Sequence, residues 1–205
     1  MPTTVAVLNL KGGTGKTTSA AHVAQALHEA GARVLAVDAD PQGSLVRWST
    51  AAEFPFATVA KPSAKLHREL PGIVGEQWDA VVIDTPPTND GKAIVTAAAR
   101  AASHVLVPLT PSTIEHDRLA DVQELLDEVT VLHDLAVAVV LVKVKRSAAS
   151  GEVYRGALER GGWRVLKPIV PDGESFRQAW GLPLQRRHVE AYVDVVAELL
   201  EVAPG

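Results

Sequence analysis

Lys11, Lys16 and Thr17 stand in the segment Lys11-Gly12-Gly13-Thr14-Gly15-Lys16-Thr17, and residues of these types at this spacing can hold a polyphosphate. Gly12, Gly13 and Gly15 put no side chain in the way and tolerate positive φ, so successive backbone N–H groups can turn inward around phosphate oxygens. Lys16 adds a point charge, and the Thr17 hydroxyl can ligate Mg2+. The ordinary form of such a loop, G-x-x-x-x-G-K-[ST], needs glycine at position 10, where this chain has Leu10 followed by Lys11. The loop therefore carries two lysines instead of one.

Two acidic segments supply the other half of such a site. The apolar stretch 34–37 ends in Asp38-Ala39-Asp40-Pro41-Gln42-Gly43, and 81–83 ends in Asp84-Thr85-Pro86-Pro87. Residues two apart on a strand share a face, so Asp38 and Asp40 are both expected to look toward the loop. Pro41 stops the strand and Gly43 frees the backbone, as suits a segment that rearranges when a terminal phosphate leaves. Asp84 has the form of a metal-organising carboxylate at the carboxyl end of a strand, where open α/β sheets bind ligands.

The elements that must place these residues follow from periodicity. Apolar runs at 5–8, 34–37, 80–83, 105–107 and 136–142 read as strands. They alternate with helical stretches at 16–30, 90–102, 113–132, 150–160 and 186–202, and Ser112 to Glu115 forms a capping box for the third of these. The first helix aims its positive end at the same anion as the loop. Pro55, Pro62, Pro71 and Gly72 break the helical pattern in 54–78, which is expected to hold a short strand and a short helix. The pattern predicts one α/β domain over 1–205, with a mostly parallel, twisted sheet covered by helices on both faces.

KGGTGKTT at 11–18, VDADPQGS at 37–44, VIDTPP at 82–87 and PLTPS at 108–112 together resemble the ParA-type partition ATPases of the ParA/MinD group, P-loop NTPases of the deviant Walker A type. The resemblance is very specific in the first half of the chain and weaker after about residue 145. With Met1 and Pro2 alone before the first strand, it is to the small members that lack an N-terminal helix-turn-helix, so operator-specific autorepression is not expected. The resemblance implies a slow, partner-stimulated ATPase with ATP and Mg2+ as cofactors. Gly12 to Thr18 would hold the nucleotide, Pro171 and Asp172 would lie in the loop closing over adenine, and Thr17, Asp84 and Asp38 would serve the metal. Asp40 would orient the attacking water, and Lys11 would reach the nucleotide of a second subunit. It further implies an ATP-dependent homodimer that binds DNA without reading sequence, released by a ParB-type centromere-binding or cargo-adaptor protein. The expected cargo is DNA; a protein cargo such as a microcompartment is the alternative, and a ligase resembling dethiobiotin synthetase a more distant one.

Composition narrows the classes. With no cysteine, the chain cannot hold a thiolate-ligated cluster or a disulfide. Its longest apolar stretch, 135–142, is too short to span a bilayer, and a cytoplasmic, nucleoid-associated protein is expected. Seven histidines show no metal-ligand spacing, and Trp48, Trp78, Trp163 and Trp180 are expected to be packing residues. The net charge of −4 hides a local excess: 143–187 carries 10 Lys/Arg against 4 Asp/Glu, a distribution suited to phosphate backbones. Lys145, Arg146, Arg155, Arg186 and Arg187 are the DNA-binding candidates. From Val189 to Val202 the final helix carries Glu190, Asp194, Glu198 and Glu201 without Lys or Arg, so anionic lipid would repel it. Its Val193, Val196, Ala197 and Leu200 side is expected to face the sheet.

Overall fold

The computed structural model describes residues 2–111, 113–144 and 150–203; side chains of residues 88–90, 113–118, 150 and 177 are not described. Ser112 of the expected capping box, and Lys145 and Arg146 of the basic patch, therefore lie outside the described residues. Seven strands, all pairing in parallel, form a single sheet: β1 (Thr3–Val7), β2 (Val34–Asp38), β3 (Ala57–Ala60), β4 (Ala80–Asp84), β5 (His104–Leu109), β6 (Ala136–Val144) and β7 (Val165–Pro171), in the spatial order β3-β2-β4-β1-β5-β6-β7. Among the described residues eight helices connect or flank them: α1 (Lys16–Glu29), α2 (Ser44–Ala51), α3 (Leu66–Val74), α4 (Thr88–Ala101), α5 (Thr113–Thr130), α6 (Ser150–Arg160), α7 (Glu174–Arg177) and α8 (Arg186–Leu200).

Strand alternation divides the core in two. Ala6, Leu8, Leu35, Val37, Val81, Ile83, Val105 and Val107 pack with residues of α3, α4 and α5. Their neighbours Val5, Val7, Val34, Ala36, Ala80, Val82 and Leu106 pack with α1, α2 and α8 on the opposite face. Helices thus cover both faces, which is why the central strands read as continuous apolar runs rather than alternating ones. The order reverses beside β1, leaving a crevice at the carboxyl ends of β1, β2 and β4. Asp38 and Asp84 are register partners at that edge.

Several elements depart from the expected boundaries. Strand β7 and helices α2 and α7 were not expected; β7 is interrupted by Lys167 and Pro168, which hide its β pattern. Pro71 and Gly72 do not break α3 but lie in its later turns. Helix α8 is rotated from the expected setting. His188, Val189, Tyr192, Val195, Val196 and Leu199 are buried, while Val193 is 44% exposed and Ala197 and Leu200 also face outward. Packing against α1 selects that face: the Tyr192 hydroxyl lies 2.9 Å from Ser19 Oγ, and the Tyr192 ring stacks on His22.

Candidate functional site

The segment after β1 is bent by two left-handed glycines, Gly13 (φ 76°) and Gly15 (φ 88°), and α1 starts at Lys16 immediately after. A Cβ on either would project into open space, so backbone conformation and not crowding demands glycine there. Two contacts absent from the sequence reading hold the loop. Asn9 donates from Nδ2 to the Pro108 carbonyl (2.9 Å) and accepts the Lys11 N–H on Oδ1 (3.0 Å), pinning the loop to the end of β5. The buried Thr85 hydroxyl donates to the Val7 carbonyl (2.9 Å), tying the ends of β4 and β1. Strand order brings Asn9 to Pro108 and Thr85 to Val7.

The Lys16 ammonium is buried and donates to the Lys11 carbonyl at 2.8 Å. Burial lowers its pKa, partly offset by the charges of Asp84 and Asp40. Asp84 is fully buried; among the described residues its carboxylate oxygens make no hydrogen bond of ordinary geometry, and the Thr17 hydroxyl is the donor that faces them. Burial pushes its pKa up to about 7; the facing Thr17 hydroxyl and Lys16 ammonium lower it while Asp38 and Asp40 raise it further. Two carboxylate oxygens beside a hydroxyl form a hard-oxygen donor set. Mg2+ fits such a set, because it binds through one or two carboxylates and completes its octahedron with water and phosphate oxygens. Among the described residues no group of three or more His, Asp or Glu could hold a metal on its own, so phosphate and water must supply the remaining ligands.

The two other aspartates are placed differently from expectation. β2 ends at Asp38, so strand alternation does not carry through to Asp40, which reaches the cavity from the loop beyond. Asp38 is buried, its pKa raised by desolvation, and its oxygens accept the N–H groups of Asp40 (3.1 Å) and Val46 (3.0 Å). These bonds hold the 38–46 segment to the end of β2. Asp40 Oδ1 accepts the Gln42 N–H at 2.9 Å.

A cavity of about 500 Å³ lies over the loop. Its lining combines the loop and its carboxylate neighbour, Gly12, Gly13, Gly15, Lys16, Thr17, Thr18 and Asp40, with the apolar side chains Val142, Val170, Pro171, Phe176, Trp180 and Tyr192, and with Asp172. Lys11 and Thr14 do not line it. Trp180, expected as a packing residue, is 56% exposed here, whereas Trp48 is buried and donates from Nε1 to the Leu182 carbonyl (2.8 Å). Phe176 stacks on His188 with centroids 3.8 Å apart, and the buried His22 touches Trp48, Phe176, His188 and Tyr192. His22 is held neutral, burial taking its pKa down to about 4.

Among the described residues the basic side chains of 143–187 are divided between partly buried and exposed positions. Arg155 has an 11% exposed side chain whose guanidinium donates to the carbonyls of Leu166 and Lys167 in β7. Expected at DNA, it is spent on backbone acceptors. Arg164 pairs with Glu198 (3.5 Å). Arg186 and Arg187, at the start of α8, are exposed, and Arg186 forms a solvent-facing pair with Glu190.

Strand, glycine bend and helix, with a buried carboxylate opposite, are the parts of a nucleotide-binding P-loop fold, and residues 5–181 match the family described as the CobQ/CobB/MinD/ParA nucleotide binding domain. The chain belongs to that family. Within it, the chain is 36% identical over 194 residues to the maintenance of carboxysome distribution protein A of Gloeobacter kilaueensis, covering 93% of this chain and 78% of the relative. It is 27% identical to the protein ParA of Rhizobium radiobacter, over 84% and 79% of the two chains. Among solved structures it superimposes with a TM-score of 0.76 and 25% identity on cobyrinic acid a,c-diamide synthase from Mycobacterium smegmatis with bound ADP and magnesium, covering 98% of this chain and 95% of that one. The seven-stranded parallel sheet is the family's fold.

Proposed function

We propose that this chain is a positioning ATPase of the ParA type, in which ATP and Mg2+ close two subunits face to face and the closed dimer rides on nonspecific DNA. The observation that carries the reading is the Asp84 carboxylate, fully buried beneath a two-lysine P-loop with the Thr17 hydroxyl facing it and no hydrogen bond of ordinary geometry among the described residues. A buried, poorly partnered charge is costly, and a metal is a partner that this donor set fits. Mg2+ would neutralise developing phosphate charge.

The chain's own residues then divide the work. Backbone N–H groups from Gly12 to Thr18 surround phosphate oxygens at the N-terminus of α1, where the helix dipole favours an anion. Lys16 needs only to move from the Lys11 carbonyl to a phosphate oxygen, a stronger and charge-assisted acceptor. Asp40 orients water in the cavity, while Asp38 holds the segment from which Asp40 projects. Pro171, Asp172 and Trp180 receive the base. Lys11, outside the lining of its own cavity, serves the partner subunit's nucleotide. Arg186 and Arg187 contact DNA phosphates, giving nucleoid association, and a ParB-type partner stimulates hydrolysis and release.

DNA is the cargo expected from the resemblance to partition ATPases. The 36% identity to a carboxysome distribution protein favours the second, a protein cargo moved by the same cycle. The resemblance to a diamide synthase at 25% identity keeps a small-molecule ligase as a third. Light scattering with and without ATP, combined with hydrolysis assays with and without DNA, tests the shared cycle. A dimer that forms without nucleotide, ignores DNA and consumes ATP only with an added metabolite would favour the ligase.

A further inference from the structure

Lys143 stands at a position where glycine would be relaxed. It is one of the few non-glycine residues with positive φ (56°), and it is the extra residue of a β-bulge: Val142 pairs with Val170 and Val144 with Pro171, two steps on β6 against one on β7. The Asp172 N–H closes the ladder on the Val144 carbonyl at 2.9 Å. Bulges of this kind re-aim a side chain, and a left-handed residue in one is ordinarily glycine. Here the re-aimed side chain crosses the mouth of the cavity, and its ammonium donates to the Gly13 carbonyl at 2.6 Å. Two ammonium groups thus rest on carbonyls of the loop, Lys16 from the loop itself on Lys11 and Lys143 from a distant strand on Gly13.

We infer that Lys143 is a further phosphate-binding residue, a cation delivered by the β6 bulge to the polyphosphate of a nucleoside di- or triphosphate on the P-loop. The inference rests on the ATPase reading and adds a residue that no part of the P-loop motif contains. A neutral carbonyl is a modest acceptor for an ammonium, while a phosphate oxygen is a charge-assisted one. Lys143 already lines the cavity that holds the loop's N–H groups, so a change of side-chain rotamer suffices for the exchange. The strained backbone has a reason under this assignment, since strain of this sort gathers at ligand clamps.

The test is equilibrium binding of fluorescent ATP and ADP analogues to the wild type and to Lys143→Gly, Lys143→Gln and Lys143→Arg, with a thermal melt for each. Lys143→Gly removes the ammonium and relaxes the backbone. It should melt no lower than wild type yet bind ATP about tenfold more weakly, as expected for loss of one charge-assisted hydrogen bond. Lys143→Gln should weaken binding similarly with the backbone strain retained, and Lys143→Arg should restore most of it. Wild-type ATP affinity in both the Gly and Gln variants would overturn the assignment. Absence of ATP binding by the wild type and by every variant would instead overturn the ATPase reading itself.

Discussion

Lys16 and Lys11, the two lysines of the loop, are joined directly: the Lys16 ammonium donates to the Lys11 carbonyl at 2.8 Å. The contact holds the Lys11 backbone near the cavity while the Lys11 side chain stays outside the lining. The two residues should therefore fail differently. Lys16→Ala removes a buried cation from the site and should weaken ATP binding about 10- to 100-fold. Lys11→Ala should leave ATP binding by the monomer near wild type but abolish ATP-dependent dimerisation, with stimulated hydrolysis falling about 10^3-fold or more. Nucleotide titration, sedimentation and phosphate release separate the two outcomes.

Asp84 makes stability depend on pH in an unusual direction. Its folded pKa of about 7 lies above the ordinary 3.8, so between those values the folded state holds a proton that the unfolded state has lost. Stability should fall as pH rises from about 4 to about 7, by at most about 4 kcal/mol. His22, neutral when folded with a pKa near 4, acts oppositely between about 4 and 6.5 and must be subtracted. Asp84→Asn, compared with wild type in urea titrations without nucleotide, should remove the first slope and keep the second. Mg2+ binding with nucleotide should release a proton near pH 7 in the wild type alone, which calorimetry in buffers of different ionisation enthalpy can read.

Asp40 lines the cavity, and Asp38 holds its segment. Asp40→Ala should permit the ATP dimer and its DNA complex but block hydrolysis, seen as a persistent shifted band with little phosphate released. Asp38→Ala should instead lower the melting temperature, since the N–H groups of Asp40 and Val46 lose their acceptor.

Arg155 and the pair Arg186 and Arg187 separate structure from DNA contact. Arg155→Ala strips a guanidinium from the carbonyls of Leu166 and Lys167 and should cost about 2 kcal/mol of stability. Charge reversal at Arg186 and Arg187 should leave the melt nearly unchanged while weakening DNA binding and flattening its dependence on salt. Equal DNA affinity at low and high salt in wild type and double mutant would place the DNA face elsewhere.

What the chain alone determined is what local chemistry can specify. The glycines of the P-loop, the strand ends at Asp38 and Asp84, and the alternation that makes a parallel sheet depend on residues close in sequence, where φ preference and apolar period act without help. Tertiary structure decided everything that needs a distant partner. The basic residues of 143–187 look alike in sequence, yet Arg155 is absorbed by β7, Arg164 by Glu198, and Lys143 by a bulge that swings it to Gly13. The buried face of α8 was set by Ser19 and His22 on α1, because a helix with apolar residues on two sides has no preferred rotation until a neighbour supplies one. Asn9, Thr85 and Trp180 belong to the site only because the strand order brings β4 and β5 beside β1 and folds the segment after β7 over the loop. A side chain's role follows from which acceptors and charges surround it, and for these residues those groups come from other elements of the chain.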